Sequence, residues 1–211
     1  MTEAAALYFE PTAEELEHLR RSDIKMDSAI DALGPLRRRA EPDLFAALVN
    51  HITAQQISNA AHKSVWTRLC SGLGDVTPAA VLAAKEEALC EYGLSRRKAS
   101  YITALAESVT NGALALDDVL RMEDAEAAAA LMRQPGIGLW TAEMALIFCM
   151  RRRDVLSFGD FGIRKGMTVV YGLTELPRSL FDEYRKKISP AGSAASLYFW
   201  EAAANQSKLK S

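Results

Sequence analysis

A four-residue turn, Pro135-Gly136-Ile137-Gly138, lies between two helical sequence patterns and constrains the fold more than any other stretch of the chain. Glycine adopts positive φ angles at no steric cost and leaves no Cβ between the backbone and a partner. The amides of the turn and of the helix that opens near Leu139 make an anion site suited to a phosphate. Taken alone, such a turn is more often an ordinary connection between two helices, so its context must decide.

Helical patterning dominates the rest of the chain, and strand-like alternation is scarce. Ala99, Ile102, Leu105 and Ala106, for example, form one apolar stripe at helical spacing. Helix starts are indicated as well, most clearly at Thr77-Pro78, and a short helix is expected from Asp27 to Leu33. With 211 residues and 49% hydrophobic content, the chain is expected to be one domain, or one domain of two lobes. The predicted fold class is all-α.

Net charge and cysteine usage narrow the functional classes. A formal charge of −2 argues against a protein that coats nucleic acid by bulk charge, but clusters such as Arg96–Lys98 and Arg151–Arg153 would suffice for local, salt-sensitive binding. The three cysteines are far apart and outside any zinc or disulfide spacing, which indicates a reducing compartment. The N-terminus is acidic, and no uncharged run approaches membrane-spanning length, so we expect a cytoplasmic protein without a membrane partner.

The context of the turn carries a family resemblance. The turn is followed by Trp140-Thr141-Ala142, an apolar helical run, Asp154-Val155, and the segment Gly159–Ile163. This pattern resembles the helix-hairpin-helix DNA glycosylase superfamily, and within it the branch that excises alkylated bases such as 3-methyladenine. The resemblance extends from about Leu44 to Trp200. It implies a single two-lobed helical unit over residues 1–211, with lobe one at about 43–149, lobe two at about 1–42 plus 150–211, and the active site in the cleft between them.

The resemblance also implies roles for individual residues. Asp160 matches the family's catalytic aspartate, and Gln56 matches the residue that fills the gap left by a flipped nucleotide. The implied lining of the base pocket consists of four aromatic residues, Trp140, Trp200, Phe158 and Tyr198. The implied DNA contacts are Gln55, Gln56, Ser58, Gly136, Ile137, Gly138 and Thr141.

One carboxylate is chemically sufficient for this reaction. Breaking an N-glycosidic bond passes through an oxocarbenium-like sugar, whose positive charge a nearby anion stabilises. An N3- or N7-alkylated purine is already cationic and leaves as a neutral base without being protonated. Asp160 could stabilise the sugar or orient the attacking water, and the sequence does not separate these roles. A Gly-Asp pair before a helix is also typical of a plain N-cap, and both functions are compatible.

The resemblance implies little need for cofactors. In the resembling proteins, hairpin carbonyls hold a monovalent cation, which places Na⁺ or K⁺ at the backbone oxygens of Met132, Gln134 and Ile137; no other cofactor is expected. The C-terminus lacks the four cysteines of the iron–sulfur members, and Trp140 stands where the bifunctional branch has a lysine. We therefore expect a monomeric, monofunctional glycosylase.

The expected partner is double-stranded DNA with a damaged base, in the nucleoid of a bacterium or the nucleus of a eukaryote. A separate endonuclease would cut at the abasic site that remains. Two alternatives stay open at this point. The chain could be a non-catalytic helix-hairpin-helix DNA-binding module in which Asp160 is only a cap, or a glycosylase for oxidised or deaminated bases.

Overall fold

The structure, a computed structural model, describes residues 7–209. Residues 1–6 and 210–211 lie outside the described residues, so part of the N-terminus described above as acidic is among them. The all-α prediction is confirmed, with two short strands in addition. The elements are β1 Tyr8–Phe9, α1 Ala13–Ser22, α2 Ile24–Leu33, β2 Arg38–Arg39, α3 Leu44–Ala54, α4 Asn59–Leu73, α5 Pro78–Glu91, α6 Arg96–Thr110, α7 Leu116–Val119, α8 Asp124–Met132, α9 Leu139–Phe148, α10 Phe161–Tyr171, α11 Arg178–Ile188, α12 Gly192–Ala204 and a final 3₁₀ turn Gln206–Leu209. None of the helices in residues 7–209 is both long and apolar enough to cross a membrane.

Side-chain caps fix many of the helix starts. Thr77 accepts a hydrogen bond from the amide of Ala80 and Pro78 occupies the first turn, so the predicted start of α5 is confirmed. The start of α2 was predicted three residues too late. Asp23 caps this helix by accepting the amide of Lys25, and helical geometry therefore begins at Ile24.

The chain divides into two compact units, Met1–Ala40 with Arg151–Ser211, and Glu41–Met150. In the first unit, β1 and β2 pair antiparallel, and α10 packs on α12 at very short range. A Cβ on Gly166 of α10 would lie 1.9 Å from the carbonyl oxygen of Phe199 in α12, so only glycine allows this approach. Around that contact lies a core whose largest buried members include Leu19, Met26, Met167, Phe181 and Phe199.

In the second unit, α3 and α8 both pack against α9, and α5 packs against α6. The predicted apolar stripe of α6 is confirmed as core, since Ala99, Ile102, Leu105 and Ala106 are all fully buried. Alanines of α8 and α9 are buried as well, which allows the two helices that flank the glycine turn to lie close together. The turn is therefore supported from both sides.

Asp154 anchors the loop that leads to Asp160. Its Oδ1 accepts from Arg185 Nη1 at 2.9 Å and from the amide of Gly192 at 3.0 Å, while its Oδ2 accepts from Ser189 Oγ at 2.7 Å. Arg185 also donates to the carbonyl of Asp154 at 2.7 Å. Burial alone would raise the pKa of Asp154, but the hydrogen bonds from Arg185 and Ser189 hold this pKa below its ordinary value. The loop between α9 and α10 is thereby fastened to α11 and the start of α12.

We predict that Asp154→Asn lowers the free energy of unfolding near neutral pH by roughly 2 kcal/mol, the scale for losing hydrogen bonds to a charged group. A depressed folded-state pKa stabilises the fold above the unfolded pKa of about 4 and loses that stabilisation as the pH falls through the folded value. The gap between parent and variant should therefore shrink below about pH 4. Urea unfolding of parent and variant, near neutral pH and below about pH 4, measures this difference in the free energy of unfolding.

Asp182→Asn is the matched control, because Asp182 forms an exposed ion pair with Arg178 at 2.8 Å. Such pairs contribute roughly 0.5 kcal/mol, so this variant should remain close to the parent. Equal losses from the two substitutions, or a gap for Asp154→Asn that persists in acid, would contradict the anchoring role.

Candidate functional site

The glycine turn between α8 and α9 is shaped by its two glycines in different ways. Gly136 has φ +79°, and a Cβ there would lie 2.2 Å from the ring of Tyr101. Gly138 has φ −92° and ψ 177°, is exposed, and would place a Cβ in open space. The protein itself therefore requires glycine at 136, whereas at 138 the absence of a side chain leaves the backbone open to a partner.

Helix α9 begins at Leu139 with Gly138 as its N-cap and no side-chain cap. The amides of its first turn and the positive end of the helix dipole give this end of α9 the electrostatic character that an anion site requires. Ile137 donates its amide to the carbonyl of Gln134 at 3.2 Å, which closes the turn. Its side chain is buried, so a DNA contact by Ile137 would be limited to its backbone.

Two of the predicted DNA contacts point inward instead. Thr141 is only 2% exposed, because it faces the interior side of α9. The side-chain nitrogen of Gln55, Nε2, donates to the carbonyl of Gly136 at 2.8 Å and to Thr141 Oγ1 at 3.0 Å. The Thr141 side chain is therefore not open to DNA, so a DNA contact by Thr141 would be limited to its backbone, and the side-chain amide of Gln55 is engaged with the hairpin.

The turn between α3 and α4 presents Gln56 and Ser58. Gln56 is exposed and has φ +57°, a left-handed conformation that costs energy for any residue with a Cβ. Its Oε1 accepts from Arg97 Nη2 at 3.4 Å. Ser58 caps α4 by accepting the amide of Ala61 at 3.2 Å. A cavity of about 390 Å³ opens beside this turn, between Gln56 and the start of α6.

Asp160 is the N-cap of α10 and is 8% exposed. Its Oδ1 accepts from the amide of Ile163 at 2.8 Å and from Trp200 Nε1 at 3.0 Å. A Cβ on Gly162 would lie 2.7 Å from Cδ1 of the Trp200 ring, so this glycine leaves the space that the indole occupies. The N-cap of α10 and the predicted catalytic side chain are therefore the same residue, and an electron-rich ring lies directly against its carboxylate.

Two other residues predicted to line the base pocket, Tyr198 and Phe158, do not fit that role. Tyr198 is 1% exposed and donates its hydroxyl to the carbonyl of Gly34 at 3.2 Å. It lies two residues from Trp200 on α12, and side chains at this spacing point in widely different directions. Tyr198 is thus a core residue, and its assignment to the pocket is corrected.

The ring of Phe158 is already in contact with two arginines and a phenylalanine. The guanidinium carbons of Arg178 and Arg164 lie 5.0 and 5.4 Å from its ring centroid, and the edge of Phe181 is also in contact. A ring that already attracts two cations is poorly placed to select a cationic base, so the structure does not support this assignment.

Trp140 lies in the first turn of α9 and is half-buried. His51 contacts its ring edge to face, with centroids 6.5 Å apart and an interplanar angle of 75°. Burial, and secondarily the charge of His62, lowers the pKa of His51 to about 4, so the imidazole under Trp140 is neutral near pH 7. Sequence reasoning missed His51. The available signal was its position on the apolar face of α3, three residues after Leu48.

His51 borders a polar network inside the second unit. Asn50 donates to Glu41 Oε1 at 2.5 Å, and its Oδ1 contacts His62 Nε2 at 2.7 Å. The network holds the end of α3, the start of α4 and the entry to α3 in one arrangement. Glu41, a member of this network, has its Oε2 3.9 Å from Nε2 of His51.

The carbonyls predicted to bind a cation belong to Met132, Gln134 and Ile137. The Gln134 carbonyl uses one lone pair for the Ile137 amide and retains the second. Neutral carbonyl oxygens are suitable ligands for Na⁺ or K⁺. Among residues 7–209, no group of three or more His, Cys, Asp or Glu side chains is arranged to bind a metal.

Comparison with known proteins identifies relatives over most of the chain. A family model described as "HhH-GPD superfamily base excision DNA repair protein" matches residues 49–190. The alkylbase DNA glycosidase-like protein mag2 of Schizosaccharomyces pombe is 26% identical over 193 residues, which are 88% of this chain and 91% of that protein.

Two solved structures show the same fold. The DNA-3-methyladenine glycosidase of Bacillus halodurans is 32% identical, with a TM-score of 0.81 over 93% of this chain and 92% of that one. The 3-methyladenine DNA glycosylase Mag1 of Schizosaccharomyces pombe, solved in complex with abasic DNA, has a TM-score of 0.83 over 91% of this chain and 97% of that one. Its sequence is 24% identical, so this second likeness concerns the fold alone.

Proposed function

The chain belongs to the HhH-GPD superfamily of base-excision DNA repair proteins, and from this premise we propose that it is a DNA glycosylase. It hydrolyses the N-glycosidic bond of alkylated purines such as 3-methyladenine. The names of its relatives support this substrate class: a 3-methyladenine glycosidase at 32% identity and an alkylbase glycosidase-like protein both match almost the full chain.

The observation that carries the proposal is the pairing of Asp160 with Trp200. A mostly buried carboxylate stabilises a developing positive charge better than one in water, because little solvent screens it. The amide of Ile163 and the indole of Trp200 hold that carboxylate in one orientation before substrate arrives. The positive charge that grows on the sugar is then met by an anion that need not reorganise.

To reach the bond, the enzyme must turn the nucleotide out of the stack, at a cost of a few kcal/mol that is lower for damaged bases. Trp140 and Trp200 supply electron-rich rings that favour a cationic base. The neutral His51 beside Trp140 suits this selection, since a charged imidazole there would repel the alkylated base. In this proposal Gln56, which is exposed on its turn, enters the vacated space.

Double-stranded DNA is the proposed partner. The open backbone at Gly138 and the first amides of α9 would bind a phosphate, a contact that positions the protein without reading sequence. The Mag1 relative was solved with abasic DNA, which is the product that a glycosylase leaves. Trp140 occupies the position at which the bifunctional branch has a lysine, and an indole forms no Schiff base with the sugar. The proposed product is therefore an intact abasic site, left by a monomer for a separate endonuclease.

We also propose that Na⁺ or K⁺ binds the carbonyls of Met132, Gln134 and Ile137 and there offers positive charge to a DNA phosphate. The donor set has the right chemistry, because it consists of three neutral carbonyl oxygens from the last residue of α8 and the segment that follows it. DNA binding should weaken when tetramethylammonium replaces both ions at constant ionic strength. The same affinity in both salts would exclude the cation.

Asp160→Asn is expected to slow base release from methylated duplex DNA by roughly 10² to 10³, the scale for one electrostatic stabiliser. Asparagine is an equally good N-cap, so the helix start is preserved while the charge is lost. Release is measured as alkali-labile sites, and the strand should stay intact until alkali is added. Binding to abasic DNA should persist.

Asp23→Asn makes the same change at the N-cap of α2 and serves as the control; its release rate should equal that of the parent. Full activity of Asp160→Asn would exclude the catalytic role. A parent protein that binds DNA but releases no base would indicate a non-catalytic binding module.

Gly138→Ala is expected to leave the free energy of unfolding unchanged and to weaken binding to every DNA sequence by roughly tenfold, about the effect of one lost hydrogen bond to a charged group. Gly136→Ala is the matched comparison. Its positive φ and the contact with Tyr101 should cost about 1–3 kcal/mol of stability. If Gly138→Ala altered sequence preference instead of overall affinity, the phosphate contact would be wrong.

A further inference from the structure

Gln55 connects two segments that are far apart in sequence. It is the C-cap residue of α3 and immediately precedes Gln56 in the α3–α4 turn. Its side-chain amide reaches 81 residues along the chain to the carbonyl of Gly136, at 2.8 Å. The same nitrogen contacts Thr141 Oγ1 at 3.0 Å, so it bridges the glycine turn and the first turn of α9. One side chain thus joins the Gln56 turn to the hairpin.

Lys98 of α6 holds the backbone of the same turn. Its Nζ donates to the carbonyls of Thr53 and Gln55 at 2.8 and 2.7 Å. An ammonium group at a helix C-terminus satisfies carbonyls that have no partner within the helix. Burial, and secondarily the charge of Arg97, lowers the pKa of Lys98. This contact keeps Gln55 directed at the hairpin and helps maintain Gln56 at its positive φ.

We propose that Gln55 is a positioning residue that couples the Gln56 turn to the hairpin, so that gap filling and phosphate binding are carried out by one rigid element. The proposal rests on the proposed function, in which these two elements contact DNA. If the elements moved independently, each would have to be ordered separately when DNA binds, and that loss of freedom would lower affinity. With the Gln55 side chain bonded to the hairpin, a phosphate held at Gly138 determines where Gln56 enters the duplex.

Two threonines provide a matched test. Thr141→Val and Thr53→Val make the same chemical change at buried positions of the second unit. The Thr53 hydroxyl donates to the carbonyl of Val49 at 2.8 Å, a hydrogen bond within α3. The Thr141 hydroxyl, in contrast, accepts a hydrogen bond from Gln55. A purely structural role predicts similar consequences for both.

The measurements are the Kd for duplex DNA with an abasic site, the kcat and KM for release of a methylated purine, and unfolding by urea. Thr141→Val should raise Kd and KM about threefold and Gln55→Met about tenfold, with kcat at saturating DNA unchanged, because ordering is required before chemistry. Thr53→Val should leave Kd and KM at the parent values. Losses of affinity that merely follow the loss of stability across all three variants would overturn the proposal.

A mutant cycle tests the coupling itself. Gln56→Ala and Gly138→Ala are combined in the parent and again in the Gln55→Met chain, and Kd is measured for each. In the parent, the fold-change in Kd of the double variant should differ by at least threefold from the product of the fold-changes of the two single variants. In the Gln55→Met chain, the fold-change of the double variant should equal that product. If the fold-changes in Kd multiplied in both the parent and the Gln55→Met chain, the proposal would be overturned. It would also be overturned if Gln56→Ala or Gly138→Ala alone bound DNA as tightly as the parent. Because base release by the parent is scored separately, failure here is distinct from failure of the glycosylase assignment.

Discussion

The catalytic geometry proposed here depends on how closely α12 approaches α10. Gly166 permits that approach, since a Cβ there would meet the backbone of Phe199 at 1.9 Å, and a backbone cannot move aside. One helical turn earlier, Gly162 leaves room for the indole of Trp200, which then reaches Asp160 at 3.0 Å. The four-residue spacing places both glycines on one face of α10. The orientation of the Asp160 carboxylate therefore depends on two glycines, Gly162 and Gly166, that leave room for α12 and its indole.

Polar ties hold the segments that carry function. Loops have little apolar surface to bury, so a loop that must be positioned accurately needs partners for its backbone and its charged groups. Asp154 provides such hydrogen bonds for the segment before Asp160. Lys98 and Gln55 provide them for the turn before α4. Each tie spans a long sequence separation and contributes little to a hydrophobic core. Accuracy at the site thus comes from hydrogen bonds, and the stability of each unit comes mainly from its packed helices.

The sequence predicted the helices, the turn and the Asp160 cap because each is encoded by residues close together in the chain. Thr77-Pro78 and Asp160 have local capping signatures, and the α6 stripe follows from helical periodicity. Family resemblance assigned roles to individual residues but did not show which way their side chains face. Tyr198 and Thr141 were assigned to surfaces and lie in the interior, and Phe158 is covered by arginines. His51 and the hydrogen bonds of Gln55 to the hairpin were missed because they involve residues far apart in sequence, which no short motif records.

The chemistry of the leaving group explains why this arrangement suits alkylated purines. An intact purine must gain a proton as it leaves, whereas an N3-alkylated purine already carries its positive charge and departs neutral. Asp160 Oδ1 accepts two hydrogen bonds, from Ile163 and Trp200, which suits a group that meets positive charge and not one that donates a proton. An aromatic ring beside an anion, as Trp200 is beside Asp160, favours a cation over a neutral base of the same size. Binding and bond cleavage then select for the same property of the substrate, and the positive charge that weakens the glycosidic bond also brings the damaged base into the site.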